Sequence, residues 1–155
     1  MPDDAPEPMP IPPVIRRWSD IGGDTERLSE IQAIFFEASA TKSFASDTEH
    51  AEFQERWLGR YLTHDPRCFY VALAPAAIGQ SGVVAGYLAG SFDDPARTAR
   101  FADIGYFADL AGLTARYPAH LHINLAPQFR SRGWGERLVA AFAADARAAG
   151  APGVH

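Results

Sequence analysis

The chain has 155 residues, 47% of them apolar and 21% charged, with a formal net charge of -5. That length allows one domain with a substantial core, and the acidic balance argues against nucleic acid as a partner, because phosphate recognition wants a basic surface. No apolar run approaches the roughly 20 residues that span a bilayer, and no basic start followed by an apolar stretch marks a secretory leader, so a cytoplasmic location without membrane association is expected.

The first stretch, "MPDDAPEPMPIPP", holds six of the twelve prolines and several acids. It has little to bury and reads as a disordered or extended tail over residues 1–13, with one domain over 14–155. "VIRRWSD" reads as a short first strand. "GGDTERLSEIQAIFFEASA" reads as a helix, capped by Asp24 or Thr25, with Leu28, Ile31 and Phe35 at helical spacing. A second helix follows in "SDTEHAEFQERWLGRYL": Ser46 and Glu49 have capping-box spacing, and the aromatic stripe Phe53, Trp57, Tyr61 reads as core.

"CFYVAL" and "VVAGYLAG" read as strands, with the lone cysteine, Cys68, a buried thiol in the first. The loop between them is too short for a helical crossover, so the pair is expected antiparallel. Residues 91–118 give mixed signals, with helix expected around Phe107, Leu110 and Leu113. "AHLHINLA" reads as a strand. "GWGERLVAAFAADARAAG" reads as a helix with Trp134, Leu138, Phe142 and Ala146 on its inner face, stopped by Gly150 and Pro152. "APGVH" reads as entry into a further strand at Val154, which suggests a domain incomplete at its C-terminus. A sheet so left would expose an edge through which an oligomer could form.

Between the strand and this last helix lies "QFRSRGWGERL". The first N–H groups of a helix lack internal partners, and the helix dipole adds partial positive charge. Gly133 and Gly135 let an anion approach the backbone, while Arg130 and Arg132 supply forked donors. Together they make a phosphate-sized anion site. A dinucleotide-binding oxidoreductase would want a third glycine, where this chain has Leu138. An NTPase loop would want Gly-Lys-Ser/Thr, which is absent.

Arg130-Ser131-Arg132-Gly133-Trp134-Gly135 matches the R/Q-x-x-G-x-G/A signature of the GNAT N-acetyltransferases, and "INLAPQFRSRGWGERLV" resembles that family's strand, proline turn and helix. The resemblance implies an α+β fold: a central mixed, mostly antiparallel sheet flanked by helices, here lacking its C-terminal strands. It implies acetyl-CoA as cosubstrate. Leu125 and Ala126 would contact pantetheine, and Arg130, Ser131, Arg132, Gly133, Trp134, Gly135 and Glu136 would hold the pyrophosphate. "FADIGYFADLAGLTARYPAHLHINLAP", "GRYLTHDPRCFYVAL" and "GVVAGYLAGSFDDP" further resemble bacterial acetyltransferase-like proteins related to the C-terminal domain of O-GlcNAcase.

Acetyl transfer needs a proton acceptor for the amine. His120, His122 and Asn124 alternate along one strand and share a face. Histidine titrates near neutrality and can take a proton; asparagine can only orient. Asp103 and Tyr106, in the segment before that strand, are candidates for the substrate pocket. Two histidines without further ligands do not make a metal site. The expected partner is an amine, on a small molecule or a protein lysine. The alternative is a module that keeps the fold and binds acetyl-CoA or peptide without turnover.

Overall fold

The computed structural model describes residues 12–76 and 82–155; most of the proline-rich tail lies outside them, as does part of the loop between the second and third strands. Four strands form one antiparallel sheet in the order β1 (Val14–Arg17), β2 (Phe69–Leu73), β3 (Val84–Ser91), β4 (His120–Leu125). The helical segments are α1 (Trp18–Ile21), α2 (Thr25–Ala38), α3 (Asp47–Gln54), α4 (Arg60–His64), α5 (Tyr106–Asp109), α6 (Ala111–Thr114) and α7 (Trp134–Ala148). None of the described helices is long and apolar enough to cross a membrane.

The alternation of strand side chains divides the core in two. Phe69, Val71, Tyr87 and Ala89 face α2 and the α3–α4 arm, where Ile31, Phe35, Leu58 and Tyr61 complete one cluster. Tyr70, Ala72, Ala85 and Leu88 face α7, whose Trp134, Leu138, Phe142 and Ala146 complete the other. The inner face expected for α7 is therefore the face it buries. Gly90 of β3 makes room for this packing: a Cβ there would run into the Phe142 ring.

The helix caps follow the sequence. Asp24 accepts from Arg27 N at 3.1 Å, and Ser46 accepts from Glu49 N at 3.1 Å. Three expectations need correction. The first strand stops at Arg17, because Trp18 turns into the core and meets Phe69 edge-on, starting the single turn α1. Cys68 is buried, but in a 3-10 turn ahead of β2. The second helix is interrupted by a π-helical turn, Glu55–Gly59. The wider turn shifts the inward face: Leu58 and Tyr61 are buried, and Phe53 and Trp57 pack against the same cluster while staying partly open. Residues 91–118 fold as turns and short helices; Phe107 is buried, whereas Leu110 and Leu113 are exposed. At the end of the chain Val154 bridges Ala119 in parallel, on the side of β4 away from β3.

Candidate active site

The end of β4 and the start of α7 build one wall. The Ala126 N–H donates to the Ala85 carbonyl at 2.9 Å. Peptide direction alternates along an antiparallel strand. The N–H and C=O groups of Ile123 and Leu125 therefore point away from β3, toward the edge that no described strand pairs with at these residues. After Ala126 a 3-10 turn, Pro127–Phe129, is pinned by Phe129 stacking on Trp134 at 4.8 Å. The chain then reverses through two left-handed residues, Ser131 (φ 60) and Gly133 (φ 74). Gly133 is the N-cap of α7 and provides no side chain, and the Arg137 N–H, which bonds back to the Gly133 carbonyl, starts the helical ladder. The N–H groups of Trp134, Gly135 and Glu136 precede that bond and carry the positive end of a 15-residue helix.

The arginines do not both point at this end. Arg130 donates through Nε to the Leu125 carbonyl at 3.0 Å and through Nη2 to Glu37 at 2.8 Å. It thus ties the turn to the C-terminal end of α2. Arg132 is exposed. Between these elements lies a hollow of about 520 Å³, lined by Ile123, Asn124, Leu125, Arg130, Gly135 and others.

The opposite face of β4 carries the polar residues. His120 is 4% exposed, with its Nε2 3.3 Å from the Tyr61 hydroxyl and its ring 4.8 Å from that of Phe101. His122 lies 5.1 Å from the Tyr61 ring, and its Nε2 is buried without a hydrogen-bond partner. Burial pushes both imidazoles down to about 4, against a smaller upward pull on His120 from the Pro118 carbonyl. Both are neutral at physiological pH. Asn124 Nδ2 donates to the Tyr87 hydroxyl at 2.8 Å, and Tyr87 stacks on Phe69. A second hollow, of about 340 Å³, opens on this face, with His122 and Asn124 on one side and Phe35, Phe53 and Trp57 on the other. The two hollows share Ala38 and Asn124.

The sequence-derived candidates thus separate. Leu125, Arg130 and Gly135 line the first hollow, His122 lines the second, and Asn124 lines both. His120 lies deeper, within the ring cluster. Asp103 is bound bidentately by Arg60 and again by Arg56. The Arg60 guanidinium holds its carboxyl down at about 2. Tyr106 is 49% exposed beside Phe107. Neither Asp103 nor Tyr106 lines either hollow. Ala38, Glu37, Phe35 and Trp57 join the site without any sequence signal; Trp57 sits in the stripe that spacing assigns to the core.

The model of the acetyltransferase (GNAT) family matches residues 26–154. Among solved structures, SsHAT superposes with a TM-score of 0.62 at 20% identity, over 91% of this chain and 80% of that one. An agmatine N-acetyltransferase gives 0.56 at 17% identity, over 91% and 73%. The polyamine N-acetyltransferase of Drosophila melanogaster, which forms N-acetylagmatine, gives 0.56 at 18% identity, over 90% and 72%. Likeness at these identities concerns the fold.

Proposed function

Because this chain belongs to the GNAT acetyltransferase family, we propose that it transfers the acetyl group of acetyl-CoA to an amine where its two hollows meet. The observation that carries this reading is the shared lining of Asn124 and Ala38 by hollows on opposite faces of β4. One hollow serves the donor and the other the acceptor, and the reacting atoms meet at Asn124.

On the donor side, the outward N–H and carbonyl of Ile123 and the outward N–H of Leu125 can pair with the amides of the pantetheine arm, the Leu125 carbonyl being taken by Arg130, and Ala126 continues that wall. The uncapped N–H groups at the start of α7, with Arg130, Ser131, Arg132 and Gly133 around them, receive the pyrophosphate. Gly135 leaves the approach open. On the acceptor side, neutral His122 offers a lone pair to the proton that the amine nitrogen loses as its bond to the acetyl carbon forms. The C–S bond breaks in the same exchange, and the sulfur leaves as thiolate and regains a proton. Asn124 orients the amine, and His120 supports His122 from behind through Tyr61. The quoted likenesses favour the O-GlcNAcase-related bacterial group.

A second reading, an acetyl-CoA-binding module without turnover, draws on two observations: among the described residues no carboxylate lines either hollow, and both histidines are weak bases. One experiment separates the two: calorimetric titration with acetyl-CoA beside an assay of thiol release in the presence of amines. Gly135→Val should weaken acetyl-CoA binding about tenfold or more at unchanged Tm, since an added Cβ meets only the tips of Ile123 and Leu125, at 3.6 Å. His122→Gln should leave that affinity intact and lower turnover about 100-fold or more. Binding without any turnover would favour the module; Gly135→Val binding like the parent would sink the phosphate assignment.

A further inference from the structure

Resting on the acyltransferase reading, we infer that the acceptor is a primary amine carried on an apolar, aromatic body with no second charge: an arylalkylamine rather than a polyamine or an amino acid. The acceptor hollow is walled by Phe35, Phe53 and Trp57. Among the described residues no Asp, Glu, Lys or Arg lines it. Of the ionic groups next to these residues in sequence, Glu37 pairs with Arg130, Lys42 donates to the Phe36 and Glu37 carbonyls, Arg56 pairs with Asp103, and Glu52 is exposed outside the lining. The far end of a diamine would bring a second ammonium among rings with no anion to meet it. An amino acid would bring a carboxylate with no cation. The carboxylate would lose its hydration without compensation, and the second ammonium would recover only the cation–π attraction of the rings, about 0.5–2 kcal/mol.

Ser39 and Thr41 also line the hollow with neutral hydroxyls, and the remaining polar groups lie together on β4. Asn124 has given its Nδ2 to Tyr87, which leaves the acceptor oxygen Oδ1 for an amine N–H. His122 adds the unpartnered Nε2. Both belong to β4, beside the junction with the donor hollow, so the amine end is fixed there and the body lies over Trp57 and Phe53. The volume, about 340 Å³, is at the small end of the about 300–1,000 Å³ typical of ligand pockets, and suits a single ring with a short arm. The apolar walls have a second effect. They disfavour the ammonium form of the bound amine, and so bring the nucleophile in its neutral state. The solved structures of similar fold include proteins that act on agmatine, but that likeness concerns the backbone, and a cationic tail finds no counter-ion in this hollow.

The test compares kcat/KM for 2-phenylethylamine, agmatine, spermidine and phenylalanine by thiol release, with acetyl-CoA affinity measured separately by calorimetry. 2-Phenylethylamine should exceed each of the other three about 100-fold or more. Trp57→Ala should lower kcat/KM for 2-phenylethylamine about tenfold, through KM, and leave acetyl-CoA affinity unchanged. Phe53→Glu, which places a carboxylate in the wall, should raise the agmatine rate and lower that for 2-phenylethylamine. Agmatine or phenylalanine turned over as well as 2-phenylethylamine would overturn the inference, as would tight acetyl-CoA binding with no turnover of the aromatic amine. The acyltransferase reading itself fails only if acetyl-CoA does not bind or no amine is acetylated.

Discussion

The two faces of β4 are one residue out of phase and have opposite characters. Leu121, Ile123 and Leu125 pack toward α7, among the apolar residues of that cluster. His120, His122 and Asn124 point into the aromatic side, where one buried ring nitrogen has no partner. Such an atom costs about 1–3 kcal/mol, and native structures rarely leave one without a reason. The α7 face is spent on cohesion except where Ile123 and Leu125 reach the first hollow, while the opposite face tolerates unsatisfied polarity beside the second. A single strand can hold both because its period is two, so neither set needs to compromise the packing of the other.

The largest expected effect lies on the cohesive face. The Phe142 ring is fully buried, sits against Gly90 and meets Tyr70 edge-on. Phe142→Ala should destabilise the fold by about 3–5 kcal/mol in urea unfolding. Asn124→Ala, on the other face, should cost about 1 kcal/mol, the worth of one hydrogen bond. Equal losses at the two positions would break the comparison.

The histidine face should announce itself through pH. Burial holds His120 and His122 at about 4 in the folded chain, below the 6.5 of a free imidazole. Between these values the unfolded chain binds more protons than the folded one. Stability is therefore full above about pH 6.5 and falls as the pH drops toward 4, by at most roughly 3 kcal/mol per histidine. Asp103 acts in a lower window: its depressed carboxyl stabilises the fold above about pH 4 and loses that contribution as the pH falls toward 2. Unfolding free energies measured from pH 7 to 4 should show the histidine slope, and His120→Gln with His122→Gln should flatten it. A flat parent profile would mean that the imidazoles are not held neutral.

Much of this arrangement can be read from the residues, because periodicity records which side chains share a face. The steps of four from Trp134 to Ala146 and the alternation from His120 to Asn124 are of this kind, and the glycines of "RSRGWG" mark the turn through the conformations they permit. Periodicity does not record what the face meets. The π-helical turn at Glu55–Gly59 leaves Trp57 packed against the core cluster on one side and walling a hollow on the other, and no local pattern announces it. Asp103 looks like a pocket acid until Arg56 and Arg60, more than forty positions away in sequence, take its charge. Arg130 looks like a phosphate ligand, yet its pairing with Glu37 spans 93 positions.

That pairing gives the smallest and sharpest test of the donor side. Arg130 and Glu37 are each 47% exposed, and an exposed pair of this kind is worth about 0.2–1 kcal/mol. A phosphate bound at the start of α7 would compete with Glu37 for the guanidinium. Arg130→Ala removes a cation and also leaves the Glu37 carboxylate unscreened beside the anionic ligand, so it should weaken acetyl-CoA binding by about 1 kcal/mol, or roughly fivefold. Glu37→Gln added to that change should restore part of the loss, because the repulsion goes while the missing donor stays missing. Both effects should shrink at about 1 M salt, where the screening length falls to about 3 Å. A Glu37→Gln change that weakens binding on its own, titrated calorimetrically at low salt, would mean that Glu37 acts by holding Arg130 in place and that the guanidinium, not the helix end, dominates the grip on the anion.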